Sequence, residues 1–338
     1  MVMTLGLIIP NFYAIIPTMT AFLATLLLSA AGAYEIRRPS EPASLSGVAW
    51  VSNSTYLAVT DWGASVWEMS LPLDPESGKP LSCSLRKLFA LEKREDVEDI
   101  ALDPLDPTRL YVADEYHGLV GINSRTNGQS IGVLKMTGAL AKLRTDMGLE
   151  SVAVSRDGLR LWTCSEEAAQ ADGPISTQKR GTDVRLARFR RASAADPWLK
   201  DGEWAYQTDP IGGASWRSKG GVDYARSGVS ALCEMDDRRL LVLEREFSVS
   251  FLPRFRCRVY ETDFANATEV SSFASLTNQP IVRVKKTLVD ETTGLSMYEG
   301  LTQGPTLKDG TRTLVLVSDG DDLPLETVRV LRLGKQDF

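Results

Sequence analysis

Along the chain, apolar residues come in short runs of about six, separated by polar turns, and β-branched residues dominate the runs. Helical periodicity is nearly absent after Ala33. The runs also recur in a fixed order. A small or acidic residue opens a short apolar strand, a polar turn follows, then a second β-branched strand and an acid. This pattern occurs as LSGVAWVSNSTYLAVTDWG from Leu45, VEDIALDPLDPTRLYVADEYHG from Val97, LESVAVSRDGLRLWTCSEE from Leu149, GVSALCEMDDRRLLVLERE from Gly228 and YEGLTQGPTLKDGTRTLVLVSDGDD from Tyr298. Two further strand-like runs follow each of the first four copies: ASVWEMS and LRKLFAL, GLVGIN and IGVLKM, VRLARF and EWAYQ, RCRVYET and IVRVKKTLV. After the fifth copy only ETVRVLRL remains.

Four short strands per unit, at a period of roughly 40 to 50 residues, is the arithmetic of a β-propeller blade. The sequence therefore predicts an all-β chain folded as a single β-propeller of five four-stranded blades. A sixth, degenerate blade within the insertions 166–228 or 261–297 is the alternative. A β-sandwich also uses many short strands, but it leaves the repeat unexplained. The last blade lacks a fourth strand, and Tyr34-Glu35-Ile36-Arg37-Arg38 is a strand without a blade. Pairing the two closes the ring and removes an exposed edge.

In a propeller the first strand of each blade lines the channel and the second returns beside it, so the start of strand one and the end of strand two lie at one mouth. Register between blades then brings Glu98 and Asp114, Glu150 and Glu166, and Glu299 and Asp319 to that mouth, with Asp61 and Glu244 added and Ser46 and Ser230 replacing the strand-one acid. So many carboxylates repel one another unless a cation lies among them. Oxygen-only donors suit calcium or another hard divalent cation better than zinc, and Arg245 is the nearest basic candidate. The metal-ligand candidates are Glu98, Asp114, Glu150, Glu166, Glu299 and Asp319; the catalytic candidates are Glu150, Glu299 and Arg245. Long loops at the same mouth, Glu166 to Asp183 and Thr208 to Gly228, carry Lys179, Arg180, Arg217 and Arg226 toward an anionic group. The alternative is that these acids are separate, solvated turn residues.

Composition trims the possibilities. A formal charge of −6 with scattered Lys and Arg speaks against a nucleic-acid partner. No charged residue precedes Glu35, the run AFLATLLLSAA is strongly apolar, and Ala31-Gly32-Ala33 fits a signal-peptidase site. Residues 1–33 are expected to be a signal peptide and 34–338 the propeller domain, secreted or periplasmic, monomeric and free of the membrane after cleavage; an uncleaved anchor is the alternative. Cys83, Cys164, Cys233 and Cys257 form no CxxC pair and read as buried thiols. Gly128-Gln129-Ser130-Ile131-Gly132 matches GxSxG, but it falls between outer strands rather than on a strand-to-helix elbow. His117, the one histidine, reads as a loop residue.

The five blocks, in this order and spacing from about Ser44 to Asp322, resemble the phytase-like family, the esterase-like activity of phytase domain. The fifth block is the most similar, although Asp319-Gly320-Asp321-Asp322 stands where the family more often carries an Asn. The resemblance implies an exported propeller that hydrolyses phosphate or other esters. The expected function is thus a metal-dependent esterase or phosphoesterase acting on a small anionic ester. The other class left open is a non-catalytic propeller that binds a ligand or protein at its rim.

Overall fold

The computed structural model describes residues 33–37, 44–61, 63–213, 218–219, 222–223, 225–235, 239–249, 253–320 and 326–333. The expected signal peptide therefore lies outside the described residues, apart from Ala33. The first blade comprises β2 (Leu45–Ser52), β3 (Thr55–Thr60), β4 (Ser65–Ser70) and β5 (Ser84–Ala90). The second comprises β6 (Val97–Leu102), β7 (Arg109–Asp114), β8 (Leu119–Ser124) and β9 (Ser130–Lys135). In the third, β10 (Leu149–Val154), β11 (Arg160–Ser165), β12 (Asp183–Arg190) and β13 (Leu199–Gln207) pair in order. A two-residue hairpin, β14 (Ser218–Lys219) with β15 (Val222–Asp223), precedes the fourth blade, β16 (Ala225–Glu234), β17 (Leu240–Val249), β18 (Pro253–Asp263) and β19 (Lys285–Gly294). The fifth contains β20 (Met297–Gln303), β21 (Arg312–Asp319) and β22 (Thr327–Leu333), completed by β1 (Ala33–Arg37).

Closure is as the unpaired N-terminal run predicts. β1 pairs antiparallel with β22 from Ala33 opposite Leu331 to Arg37 opposite Thr327, and Arg329 Nη1 adds an ion pair to Glu35 Oε1 at 2.8 Å. The inner strands neighbour one another in a closed circuit, β2 to β6 to β10 to β16 to β20 and back to β2. Between each adjacent pair of blades lies a hydrophobic core: Leu57, Val59 and Val66 against Ile100 and Val112 between the first two, for example, and Val315, Val317 and Val330 against Leu45 and Tyr56 where the ring closes. Strands buried on both faces in this way read as continuous apolar runs.

The insertion 264–284 does not form a sixth blade. It lies along the outer edge of β13, where Val270 N–H donates to Glu203 O and Val284 N–H to Ala205 O, both at 2.8 Å. Ala205, Val270 and Leu276 make a small core of their own beneath it. Arg185, almost wholly buried, ties the insertions together through Asp172, Glu203 and the carbonyls of Val270 and Phe273. The run IVRVKKTLV accordingly joins the fourth blade only from Lys285 onward. All four cysteines are buried and unbridged.

Candidate functional site

Each inner strand carries a β-bulge near its start, at the same place in every blade. The extra residues are Ser46, Glu98, Glu150, Ser230 and Glu299, lying between the paired positions on either side. A bulge re-aims the side chain it inserts, and here it sets five equivalent side chains around the axis as an inner tier. Further out on each second strand, one residue past the partner of the position before the bulge (Thr60, Asp114, Ser165, Glu244 and Ser318), stand Asp61, Glu115, Glu166, Arg245 and Asp319. Glu115 N–H donates to Asp96 O at 2.9 Å, Glu166 N–H to Gly148 O at 3.1 Å, and Arg245 is opposite Gly228. The ten positions of the two tiers hold seven acids, two serines and one arginine.

Arg245 spans the mouth. Its Nη2 lies 2.9 Å from Glu166 Oε1 and 4.0 Å from Glu150 Oε1, and its Nη1 lies 3.1 Å from Glu299 Oε1. Side chains from the third, fourth and fifth blades thus meet at one guanidinium. Two glycines let the outer tier lean onto the next blade. A Cβ on Gly148 would stand 2.5 Å from Glu115 Cγ, and one on Gly228 would stand 2.5 Å from Glu166 Cγ. With that space open, Gly148 N–H donates to Glu115 Oε1 at 2.5 Å.

The electrostatics follow from burial and crowding. Burial, then Glu299, Glu115, Asp96 and Asp61, push the Glu98 carboxyl well above the usual range. Burial and the charges of Glu98, Glu166 and Glu115 do the same to Glu150, against a partial offset from Arg245. Glu299 is pushed up to about 8, mainly by burial, with Arg245 pulling down and Asp319, Asp61 and Glu166 pushing up. Glu115 is pushed up to about 7, again mainly by burial. Two sets of acids come close enough to share an ion, with one oxygen from each member within 4.8 Å of the others: Asp96, Glu98 and Glu115, and Glu115, Glu150 and Glu166. Two buried inner-tier hydroxyls, Ser46 Oγ and Ser230 Oγ, have no hydrogen-bond partner, nor does Arg245 Nε. Carboxylate oxygens at this spacing beside unpartnered hydroxyls are a donor set that fits a hard cation.

The structure brings Glu98, Glu150, Glu166, Glu299 and Arg245 together at this mouth and sets Asp319 beside Glu299. Asp114 is placed elsewhere. One residue short of the outer tier, it turns to the other face of its strand, where its carboxylate is 3.0 Å from His117 Nδ1 and 3.8 Å from Arg94 Nη1. Glu244 is displaced in the same way: it accepts from Tyr206 Oη of the third blade at 2.6 Å and pairs with Lys286 of its own blade. A shift of one residue on a strand exchanges its faces, so the outer-tier members of these blades are Glu115 and Arg245. Glu115 and Asp96 were not singled out by the sequence. Glu115 directly follows Asp114, and only the strand register separates the two; no residue pattern marks Asp96.

Arg180 of the mouth loop is engaged with Asp183 at 2.7 Å, while Arg217, Asp321 and Asp322 lie outside the described residues. Ser130 begins the outermost strand of its blade, its N–H donating to Glu92 and its Oγ 3.5 Å from Arg94 Nη2; among the described residues the only helical piece after the strand is a four-residue 3-10 turn, Gly138–Ala141, well past the serine and not an elbow on it.

A family model described as "Phytase-like: Esterase-like activity of phytase" matches residues 42–322. No curated protein matches the chain. Among solved structures, Myxococcus xanthus glutaminyl cyclase is 11% identical over 90% of this chain and 98% of its own, with a TM-score of 0.37. Streptogramin B lyase is 11% identical over 89% and 98%, with a TM-score of 0.35. Kuenenia stuttgartiensis hydrazine synthase is 13% identical over 88% and 68%, with a TM-score of 0.35. The propeller is defined by the strand pairing itself and not by these overlaps.

Proposed function

The chain belongs to the phytase-like family, and from that premise we propose that it is an exported, metal-dependent esterase or phosphoesterase acting on an anionic ester at the carboxylate mouth. The observation that carries this reading is the convergence of both tiers: seven acids and one arginine, with two buried serine hydroxyls left without partners. A hard divalent cation, calcium by the chemistry of its donors, would be held by Asp96, Glu98 and Glu115, and the Glu150 side of the ring lies next to it. When bound, such a cation supplies positive charge for an anionic ester and Lewis-acid polarisation of its reacting oxygen.

The protein's own groups account for the rest. Glu299, with a carboxyl pushed up to about 8, exchanges a proton near neutrality, and a group so poised can take a proton from an attacking water and return it to a leaving oxygen. Arg245 Nη1, 3.1 Å from Glu299 Oε1, stabilises the ionised form and holds the carboxylate in place. Glu150 is buried, its nearest cation being Arg245 at 4.0 Å, so burial and the neighbouring acids keep its proton in place.

A second reading has an observation of its own. The opposite end of the channel holds a cavity of about 260 Å³ lined by all five inner strands, with Trp50, Arg156, Gln303 and Arg312 at its wall. A propeller that binds a small anion there, with the ring acids structural, needs no chemistry. The test is a calcium titration followed by thermal melting, together with a panel of phosphomonoesters and acyl esters. Turnover that requires the cation and falls at least a hundredfold in Glu299→Gln supports hydrolysis; saturable binding without turnover supports the second reading.

A further inference from the structure

We propose that Arg245 takes the place of a second cation, so that the mouth binds one divalent ion and not the two its acids have room for. The inference rests on the reading of the mouth as a cation site. The two acid sets share Glu115, which is the arrangement of a pair of ions bridged by one carboxylate. They differ in what already sits among them. Two of the three acids in the Glu115, Glu150 and Glu166 set lie within 4.0 Å of Arg245 Nη2, and Nη1 reaches on to Glu299. A tethered guanidinium occupies that half. Around Asp96, Glu98 and Glu115, no Lys, Arg or His of the described residues forms an ion pair; the strongest charges acting on Glu98 are acids, and Arg245 reaches it only at longer range than its contacts to Glu166 and Glu299.

Acids alone are a weak indication, since exposed clusters are common without an ion. Here the inner tier adds a separate one. Ser46, on the blade next to Glu98, and Ser230, on the blade next to Glu150, occupy the same bulge position as the glutamates, are each 1% exposed, and leave their hydroxyls unpartnered. Buried polar atoms are usually paired; Tyr56 Oη and Trp67 Nε1 also lack partners, but among the described residues these two hydroxyls are the ones that share the glutamates' bulge positions, where an occupant with lone pairs or positive charge would satisfy them. The strand register points the same way. Of the five equivalent outer positions, Asp61, Glu115, Glu166 and Asp319 are acids and only the fourth blade supplies a base. Arg245 stands opposite Gly228, whose missing Cβ leaves room for Glu166 to turn toward it.

Manganese(II) is a suitable probe, with bound metal counted by equilibrium dialysis and elemental analysis on the full chain. Wild type is expected to bind one tight ion per chain, Arg245→Lys one, and Arg245→Gln two. Glu98→Gln should weaken the wild-type ion by more than tenfold. If wild type binds none, the cation reading of the mouth fails and this inference with it. If wild type binds two, or Arg245→Gln binds only one, Arg245 is no substitute for an ion, while the cation reading stands. Arg245→Gln is expected to fold only when manganese is present, because its acids lose their counter-charge; a melting curve with and without metal reads this directly. Should it fold in neither condition, the wild-type and Arg245→Lys counts decide, since two ions in either overturns the proposal.

Discussion

Replacing Glu115 with Gln should stabilise the metal-free protein at alkaline pH, the reverse of what removing a buried, hydrogen-bonded charge usually does. Burial, together with Glu166 and Asp96, pushes the Glu115 carboxyl up, against the Gly148 N–H that lowers it, to about 7 from an ordinary 4.5. A folded-state value above the unfolded one means that the native protein keeps a proton which the unfolded chain releases. Stability is therefore full below about pH 4.5 and is lost as pH rises toward 7, the loss being complete by pH 8. At about 1.4 kcal/mol per unit of pKa, the loss is about 3 kcal/mol, or about 2 after allowing for the partial exposure of this side chain. Gln matches the protonated acid in shape, and its Oε1 can still accept from Gly148 N–H, so the variant should escape this loss. Urea unfolding in chelator at pH 5 and pH 8 is the assay. With an m-value of about 3 kcal/mol per molar, the midpoint of Glu115→Gln should lie roughly 0.7 M above wild type at pH 8 and only about 0.2 M above it at pH 5, where about a quarter of the loss has set in. A midpoint below wild type at pH 8, or a gain equal at both pH values, refutes the electrostatic account of the ring.

Gly228→Ala sets a Cβ 2.5 Å from Glu166 Cγ and 2.8 Å from its carbonyl oxygen; because backbone must move, thermal melting should show a loss of about 2 kcal/mol, together with weaker cation binding. N-terminal sequencing of exported protein should begin at or near Tyr34, which keeps the Tyr34–Val330 pairing intact, whereas recovery of intact Met1 in membranes supports the anchor. A chain started at Ser44 loses β1 and leaves the edge of β22 open, so gel filtration should show association that the longer chain lacks. Ser130→Ala should leave ester turnover unchanged, because Ser130 sits on an outer strand with no elbow; loss of turnover there revives the serine-hydrolase motif.

The five-fold architecture was legible because a repeat survives insertion: five strand pairs of one pattern specify the blades, and the unpaired run before Leu45 specifies the closure. The inner-tier glutamates were legible for the same reason, since an acid opening a buried apolar run is costly to desolvate and stands out at the same point of three copies. The outer tier was only partly so. β7 is buried at every position after Arg109, so its residues show no alternation to say which face an acid takes, and Asp114 stands one position short of Glu115. In β17 the same one-residue ambiguity chose Glu244 over Arg245 as the ring acid, though both belong to the site region by sequence. The bulges that decide the register have no residue signature of their own. The start of β19 was misplaced for a tertiary reason: the apolar residues before Lys285 are drawn to the edge of β13, through hydrogen bonds no local pattern encodes.

The central claim, that the carboxylate mouth is a hard-cation site, is tested most directly by the anomalous difference map of a crystal soaked in manganese(II). The account predicts one strong peak at this mouth among the carboxylate oxygens of Asp96, Glu98 and Glu115, and its disappearance in Glu98→Gln. A map with no peak at this mouth, or with its strongest peak on acids away from it, contradicts it.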